Sequence, residues 1–140
     1  MQEHTSAVAA GAKGSTPLLL DRPQAGVAVV TLNRPETRNS LSLAMIDALH
    51  TAVDELANDR GAAAVVLAAS GPVFSAGHDL KELTGHRADA DRGTAFFKET
   101  MTRCSALMQA IVACPKPVIA AVQGTATAAG MIRAIPAASE

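Results

Sequence analysis

Apolar and polar positions alternate with two different periods along the chain. Leu18–Asp21 and Val27–Leu32 are short apolar runs separated by Arg22–Gly26, whose Pro23 and Gly26 suit a tight connection, and together they predict a β-hairpin. Asn33–Ser40 is then a polar loop. The next segment opens with Ser40 or Ser42 as N-cap and spaces Met45, Leu49, Val53 and Leu56 by three and four residues, which predicts an amphipathic helix ending near Gly61. Ala62–Ala69 is a continuous apolar run, the pattern of a parallel strand covered on both faces. From Asp91 to about Ala113, Phe97, Met101, Cys104, Leu107, Met108 and Ile111 recur at helical spacing, with Pro115 and Pro117 stopping the helix. Val118–Val122 reads as one more buried strand, followed by the small-residue turn Gly124–Gly130. No internal repeat or long low-complexity tract interrupts the pattern. It is α/β, with crossover helices linking parallel strands.

Composition narrows the function classes. With 140 residues, 49% of them hydrophobic, no Trp, no Tyr and three Phe, the chain is expected to form one domain around an aliphatic core. Its 12 basic and 13 acidic residues leave a net charge of -1, so no extended field favours nucleic acid or an anionic membrane, and a small bound ligand is the better expectation. Cys104 and Cys114 form no C-x-x-C pair and read as free thiols in a reducing compartment. No apolar run reaches the ~20 residues that cross a bilayer. Residues 1–17 lack the features of a secretory signal and have too little Arg for a transit peptide, so they read as a flexible leader.

Two segments carry unusual chemistry. Phe74–Leu80 ("FSAGHDL") and Gly124–Gly130 ("GTATAAG") are each expected to follow a buried strand and lead into a helix, exposing backbone N–H groups at the rim of the sheet, where α/β ligands bind. Small residues there let the main chain approach a ligand closely. If the two turns converged, they would form an oxyanion hole, a pair of donors aimed at a carbonyl oxygen as it gains charge. Other readings of the same residues compete. His78 has the titration range of a general base, but no Ser or Cys nearby has a nucleophile-like context. His78 and His86 are eight residues apart, an unusual ligand spacing, and no carboxylate completes a metal site, so none is expected. Ser75 is a weak candidate nucleophile. The turn at Gly124 is not a phosphate loop, since it lacks the Gly-Lys-Ser/Thr ending.

Three blocks together, Asn33–Leu49, Gly71–Leu83 and Pro115–Gly130, resemble the successive signatures of the crotonase, or enoyl-CoA hydratase/isomerase, superfamily, in the right order and spacing from about Leu18 to Gly130. The second block and the Ala-Ala-Gly turn are similar to one branch of it in particular. The resemblance implies a crotonase-like ββα spiral, α/β in class and incomplete, because the match spans roughly the first half of a family domain. It divides the chain into the leader 1–17, a domain part 18–130 and an atypical tail 131–140.

Carried over residue by residue, the resemblance assigns the two oxyanion-hole N–H groups to His78 and Ala129, so that the histidine serves through its main chain. It implicates Arg38, Ser40, Leu41, Ala76, Asp79, Leu80 and Lys81 in holding coenzyme A, and Lys81 additionally in meeting a CoA phosphate, with a solvated surface lysine as the alternative. The implied partner is an acyl-CoA or enoyl-CoA thioester, with CoA entering as part of the substrate and no separate cofactor. A trimer-type homo-oligomer is implied for the full-length family. The implied chemistry is conjugate addition to an enoyl-CoA in fatty-acid metabolism, the two amides stabilising the thioester enolate.

The same resemblance places a hydratase glutamate where this chain has Ile132, and a second one beyond residue 140. Pro136 would interrupt the helix expected there, which suggests a truncated or frameshifted product or a fragment. An acyl-CoA enzyme, a non-catalytic CoA-thioester binder and an unstable half-domain therefore stand as alternatives. High Ala content and the absence of a targeting segment favour a bacterial-type cytoplasmic protein, with a mitochondrial one as the alternative.

Overall fold

A computed structural model describes residues 6–7, 16–130 and 135–136. Two residues of the expected leader form a short strand, β1 (Ser6–Ala7), antiparallel to β2 (Leu18–Gln24). The leader expectation is corrected at its end, where Pro17 is buried and its carbonyl accepts from Asn33 N–H at 2.9 Å, while residues 1–5 and 8–15, most of the tail and Ile132 lie outside the described residues. Strand β2 pairs antiparallel with β3 (Gly26–Leu32), Leu18 opposite Leu32 and Leu20 opposite Val30, as the hairpin pattern requires. The end of β2 differs from expectation. Strand β2 runs through Arg22 and Pro23 to Gln24, because a register shift between Asp21 and Gln24 takes the proline out of the regular ladder.

Helix α1 (Leu43–Ala57) starts at Ser42, whose hydroxyl accepts from the Met45 N–H, and buries Met45, Leu49, Val53 and Leu56 along the expected stripe. Strand β4 (Ala62–Ala69) follows with the expected bounds and pairs parallel with β3, Ala28 against Val65 and Val30 against Leu67. Strand β5 (Val73–Ser75) comes next, then the short helix α2 (Leu80–Gly85). Helix α3 (Thr94–Ala113) starts three residues later than expected, because Asp91 stays outside it and caps it, accepting from the N–H groups of Gly93 and Ala95. These hydrogen bonds hold the Asp91 carboxyl below its usual range. Strand β6 (Val118–Ala120) pairs parallel with β4 and is shorter than the apolar run that predicted it. The chain continues through β7 (Thr125–Ala126) to β8 (Ile135–Pro136), which pairs parallel with β6 and places Pro136 in an edge strand.

The main sheet has the order β1-β2-β3-β4-β6-β8, while β5 and β7 form a separate parallel pair. Both crossovers, α1 from β3 to β4 and α3 from β4 to β6, step the same way along the sheet. Two right-handed crossovers in one direction place both helices on one face. Ala28, Val30, Leu32, Val65, Leu67, Val118 and Ala120 are buried on that face with Ile46, Leu49, Leu107 and Ile111 of the helices. Residues pointing the other way, Val27, Val29, Val66 and Ile119, are half-buried. The expectation that β4 is covered on both faces is thus corrected: within the described residues one face is packed and the other is half-buried.

The helical stripe of α3 is also corrected at its start. Cys104, Leu107 and Ile111 are buried, but Phe97 is 52% exposed and lines an open groove with residues of α2. Both cysteines are free thiols, and burial raises the Cys104 pKa. Arg103 ties α3 to α1, bonding Asp47 at 2.6 Å and Glu99 at 2.5 Å. No helix among the described residues is long and apolar enough to cross a membrane.

Candidate functional site

Three backbone segments meet at the rim: the loop 38–41, the turn 75–79 and the turn 124–130. The first two lie side by side as a parallel ladder. Ala76 N–H donates to Arg38 O at 3.0 Å, Leu41 N–H to Gly77 O at 2.7 Å and Asp79 N–H to Leu41 O at 3.2 Å. The third is attached by the β5–β7 pairing, by Thr127 N–H donating to Ser75 O at 3.1 Å and by the Thr127 hydroxyl donating to Ala76 O at 3.0 Å. The two small-residue turns therefore converge, which meets the condition for a shared pair of donors.

Glycine is what permits the approach. Gly77 has φ +85, and a Cβ there would stand 2.9 Å from Thr127 O and 3.5 Å from Ala129 N. A Cβ on Gly130 would lie 2.6 Å from Ser75 O, inside any allowed contact. The second turn ends in a 3-10 turn, Ala128–Gly130, with Ala128 held at φ 48. Among the described residues neither the His78 N–H nor the Ala129 N–H donates to a protein acceptor. Each flanks a group that is engaged, since Gly77 O and Asp79 N carry the ladder around His78 and Gly130 N–H donates to Thr127 O beside Ala129.

A buried polar hub holds the turns in place. Asn39, fully buried and at φ 50, accepts from Arg34 N–H at 2.8 Å and donates to Ser70 O at 2.9 Å and Val73 O at 3.0 Å. Ser75, also fully buried, donates to Asn39 O at 2.8 Å and accepts from Gly77 N–H at 3.2 Å. The Ser75 hydroxyl is thus committed to backbone groups, which leaves no role for it as a nucleophile. Asn39 escaped the sequence reading. Its signal was weak: an Asn in a polar loop is common, although Asn is enriched at the left-handed conformation that Arg38 and Asn39 both adopt.

The other implicated residues sort by depth. Leu41 is buried; Ser40 and Asp79 are half-buried and line a cavity of about 150 Å³ together with Arg34 and Thr37. The Arg34 Nε is buried there without a partner among the described residues. Arg38, Ala76, Leu80 and Lys81 are exposed along the rim. Asp79 caps α2 through its carboxylate, which accepts from Glu82 N–H, and the Glu82 carboxylate accepts from Leu43 N–H at 2.9 Å. The His78 imidazole is half-buried, with Nδ1 buried and unpartnered among the described residues; burial lowers its pKa and favours the neutral ring. His78 and His86 do not form a metal pair with any third ligand, for no cluster of three His, Cys, Asp or Glu occurs among the described residues. His86 instead bonds Asp89 and stacks on Phe96.

Known proteins resemble this chain in both sequence and fold. Enoyl-CoA hydratase domain-containing protein 3, mitochondrial, of Rattus norvegicus is 40% identical over 125 residues, which is 89% of this chain and 40% of that protein. The crystal structure of human enoyl Coenzyme A hydratase domain-containing protein 3 superposes with a TM-score of 0.72 at 40% identity, covering 81% of this chain and 43% of that one. That of an enoyl-CoA hydratase from Mycobacterium smegmatis superposes with a TM-score of 0.73 at 49% identity, covering 81% of this chain and 42% of that one. The chain spans about two fifths of the length of these relatives, and the portion it spans has the crotonase fold. Residues 22–137 match the enoyl-CoA hydratase/isomerase family model, and the chain belongs to that family.

Proposed function

We propose that the chain binds an acyl-CoA thioester at the rim formed by Arg38–Leu41, Ala76–Lys81 and Ala129, and that it supports enoyl-CoA hydratase/isomerase-type chemistry in fatty-acid metabolism. The observation that carries this reading is the pair of unengaged amides on converging turns. A thioester oxygen accepting from both would be polarised, and as a nucleophile adds to the conjugated double bond its growing negative charge would fall between two fixed dipoles. Each such donor contributes about 10²–10³ in rate. The exposed Arg38 and Lys81 supply positive charge beside the site for the CoA phosphates. The polarisation of the thioester runs on backbone dipoles, and the reading includes no metal and no cofactor apart from the CoA of the substrate.

A second reading is a CoA-thioester binder without turnover, and a specific observation favours it. Hydration needs a general base and a general acid. The two carboxylates nearest His78 in the chain, Asp79 and Glu82, are both spent on backbone N–H groups. Hydration of crotonyl-CoA, followed by loss of the enoyl absorbance, separates the readings. Turnover abolished by Ala129→Pro supports the catalytic one, and tight thioester binding with no turnover supports the binder.

A further inference from the structure

Beside the thioester rim, α2, the 3-10 turn His86–Ala88 and the first turn of α3 enclose an open groove of about 350 Å³. Leu80, Leu83 and Phe97 contribute apolar side chains to its lining. Leu80 is 72% exposed and Phe97 52%, a large apolar area for side chains that no described residue covers. The lining also carries cations. Arg87 and Arg92 both line the groove, and neither forms an ion pair among the described residues.

The nearby carboxylates do not neutralise these arginines directly. Asp89 is bonded to His86 Nδ1 at 2.7 Å, and Asp91 accepts from Gly93 and Ala95 at the start of α3. The loop itself is braced by the His86–Phe96 stack, with ring centroids 3.6 Å apart, and Arg92 is held in the left-handed region at φ 57. The groove thus combines an apolar wall with two guanidinium groups on a fixed loop. Leu80 joins it to the thioester rim, two residues from the His78 amide. Arg87 lies seven residues beyond Leu80, a span of about 10 Å at a helical rise.

We infer that this groove takes the distal end of an acyl chain bearing a terminal carboxylate, with Arg87 and Arg92 as its anion-binding pair. The inference rests on the acyl-CoA reading of the His78–Ala129 rim and adds a substrate class to it: thioesters of dicarboxylic acids. The methylene chain lies along Leu80, Leu83 and Phe97, and the far carboxylate accepts hydrogen bonds from the guanidinium groups.

The test is a calorimetric titration of the full chain at low salt with suberoyl-CoA and octanoyl-CoA, which share a carbon count and differ in the terminal carboxylate. The diacid thioester is expected to bind about fivefold tighter, an advantage that shrinks as salt is raised. In Arg87→Gln/Arg92→Asn the ratio is expected to fall to about one while octanoyl-CoA affinity stays unchanged, which also shows that the variant is folded. Equal affinity for the two thioesters in the unaltered chain overturns the inference and leaves the acyl-CoA reading intact. So does an equal loss for both in the variant, which would place the arginines on the CoA moiety. Failure of a folded chain to bind either thioester overturns the acyl-CoA reading and this inference with it.

Discussion

The hub beneath the turns and the rim above them are built from opposite materials. Asn39 and Ser75 are fully buried and spend their polar atoms on backbone partners, whereas Arg38, Ala76, Leu80 and Lys81 are exposed. The hub therefore fixes geometry, and the rim is free to meet a ligand. His78 and Ala129 sit at the boundary, with their amides placed by the hub and left unengaged at the rim. Position and reactivity are thus assigned to different residues. Substitutions in the hub should act through stability, and those at the rim through affinity.

The largest effect is expected from Asn39→Ala. It leaves Arg34 N–H, Ser70 O and Val73 O without their partner in a buried site, and should destabilise the fold by about 3 kcal/mol, measured by urea denaturation. Ser75→Ala removes a single bridging hydroxyl and should cost about 1.5 kcal/mol in the same experiment, with little loss of volume. A loss at Asn39 no greater than that at Ser75 would break the picture of Asn39 as the centre of the hub.

A smaller effect concerns pH. Burial lowers the folded-state pKa of His78 below its ordinary 6.5, so below that pH the unfolded chain binds more protons than the folded one. This contribution to stability is complete above pH 6.5 and declines as the pH falls through that value. His78→Gln should flatten that part of the stability profile and leave the plateau above it in place; a slope unchanged in the variant would assign the titration to another group. The smallest effect is expected at the outer rim, where Lys81→Ala should weaken acyl-CoA binding by about threefold or less at low salt and leave stability unchanged.

Sequence pattern and structure agree most closely where the determinant is local. The α1 stripe, the cap at one of two serines and the bounds of β4 depend on side-chain periodicity and hydrogen bonds within a few residues; the stripe and the bounds are legible, and the structure chooses Ser42 over Ser40. Strand β2 passing through Pro23 was not, because a bulge is decided by the partner strand. Nor was the exposure of Phe97, since periodicity gives the direction of a side chain and says nothing of whether a neighbour covers it. The order of strands places the two turns in equivalent positions at the sheet rim but leaves their convergence open, and the buried hub that locks them has no signature in the sequence. An asparagine becomes structural through partners 31 and 34 residues away, and those distances in sequence carry no local signature.

The central claim is that the main-chain N–H groups of His78 and Ala129 form the thioester site. The most direct test is calorimetric titration of the chain and two variants with a saturated acyl-CoA. His78→Ala, which keeps the amide and removes the imidazole, should bind within about threefold of the unaltered chain, and Ala129→Pro, which removes an amide, should lose about tenfold or more. Full binding by a folded Ala129→Pro, or loss of binding in His78→Ala with its fold intact, would contradict the account by moving recognition from the main chain to side chains.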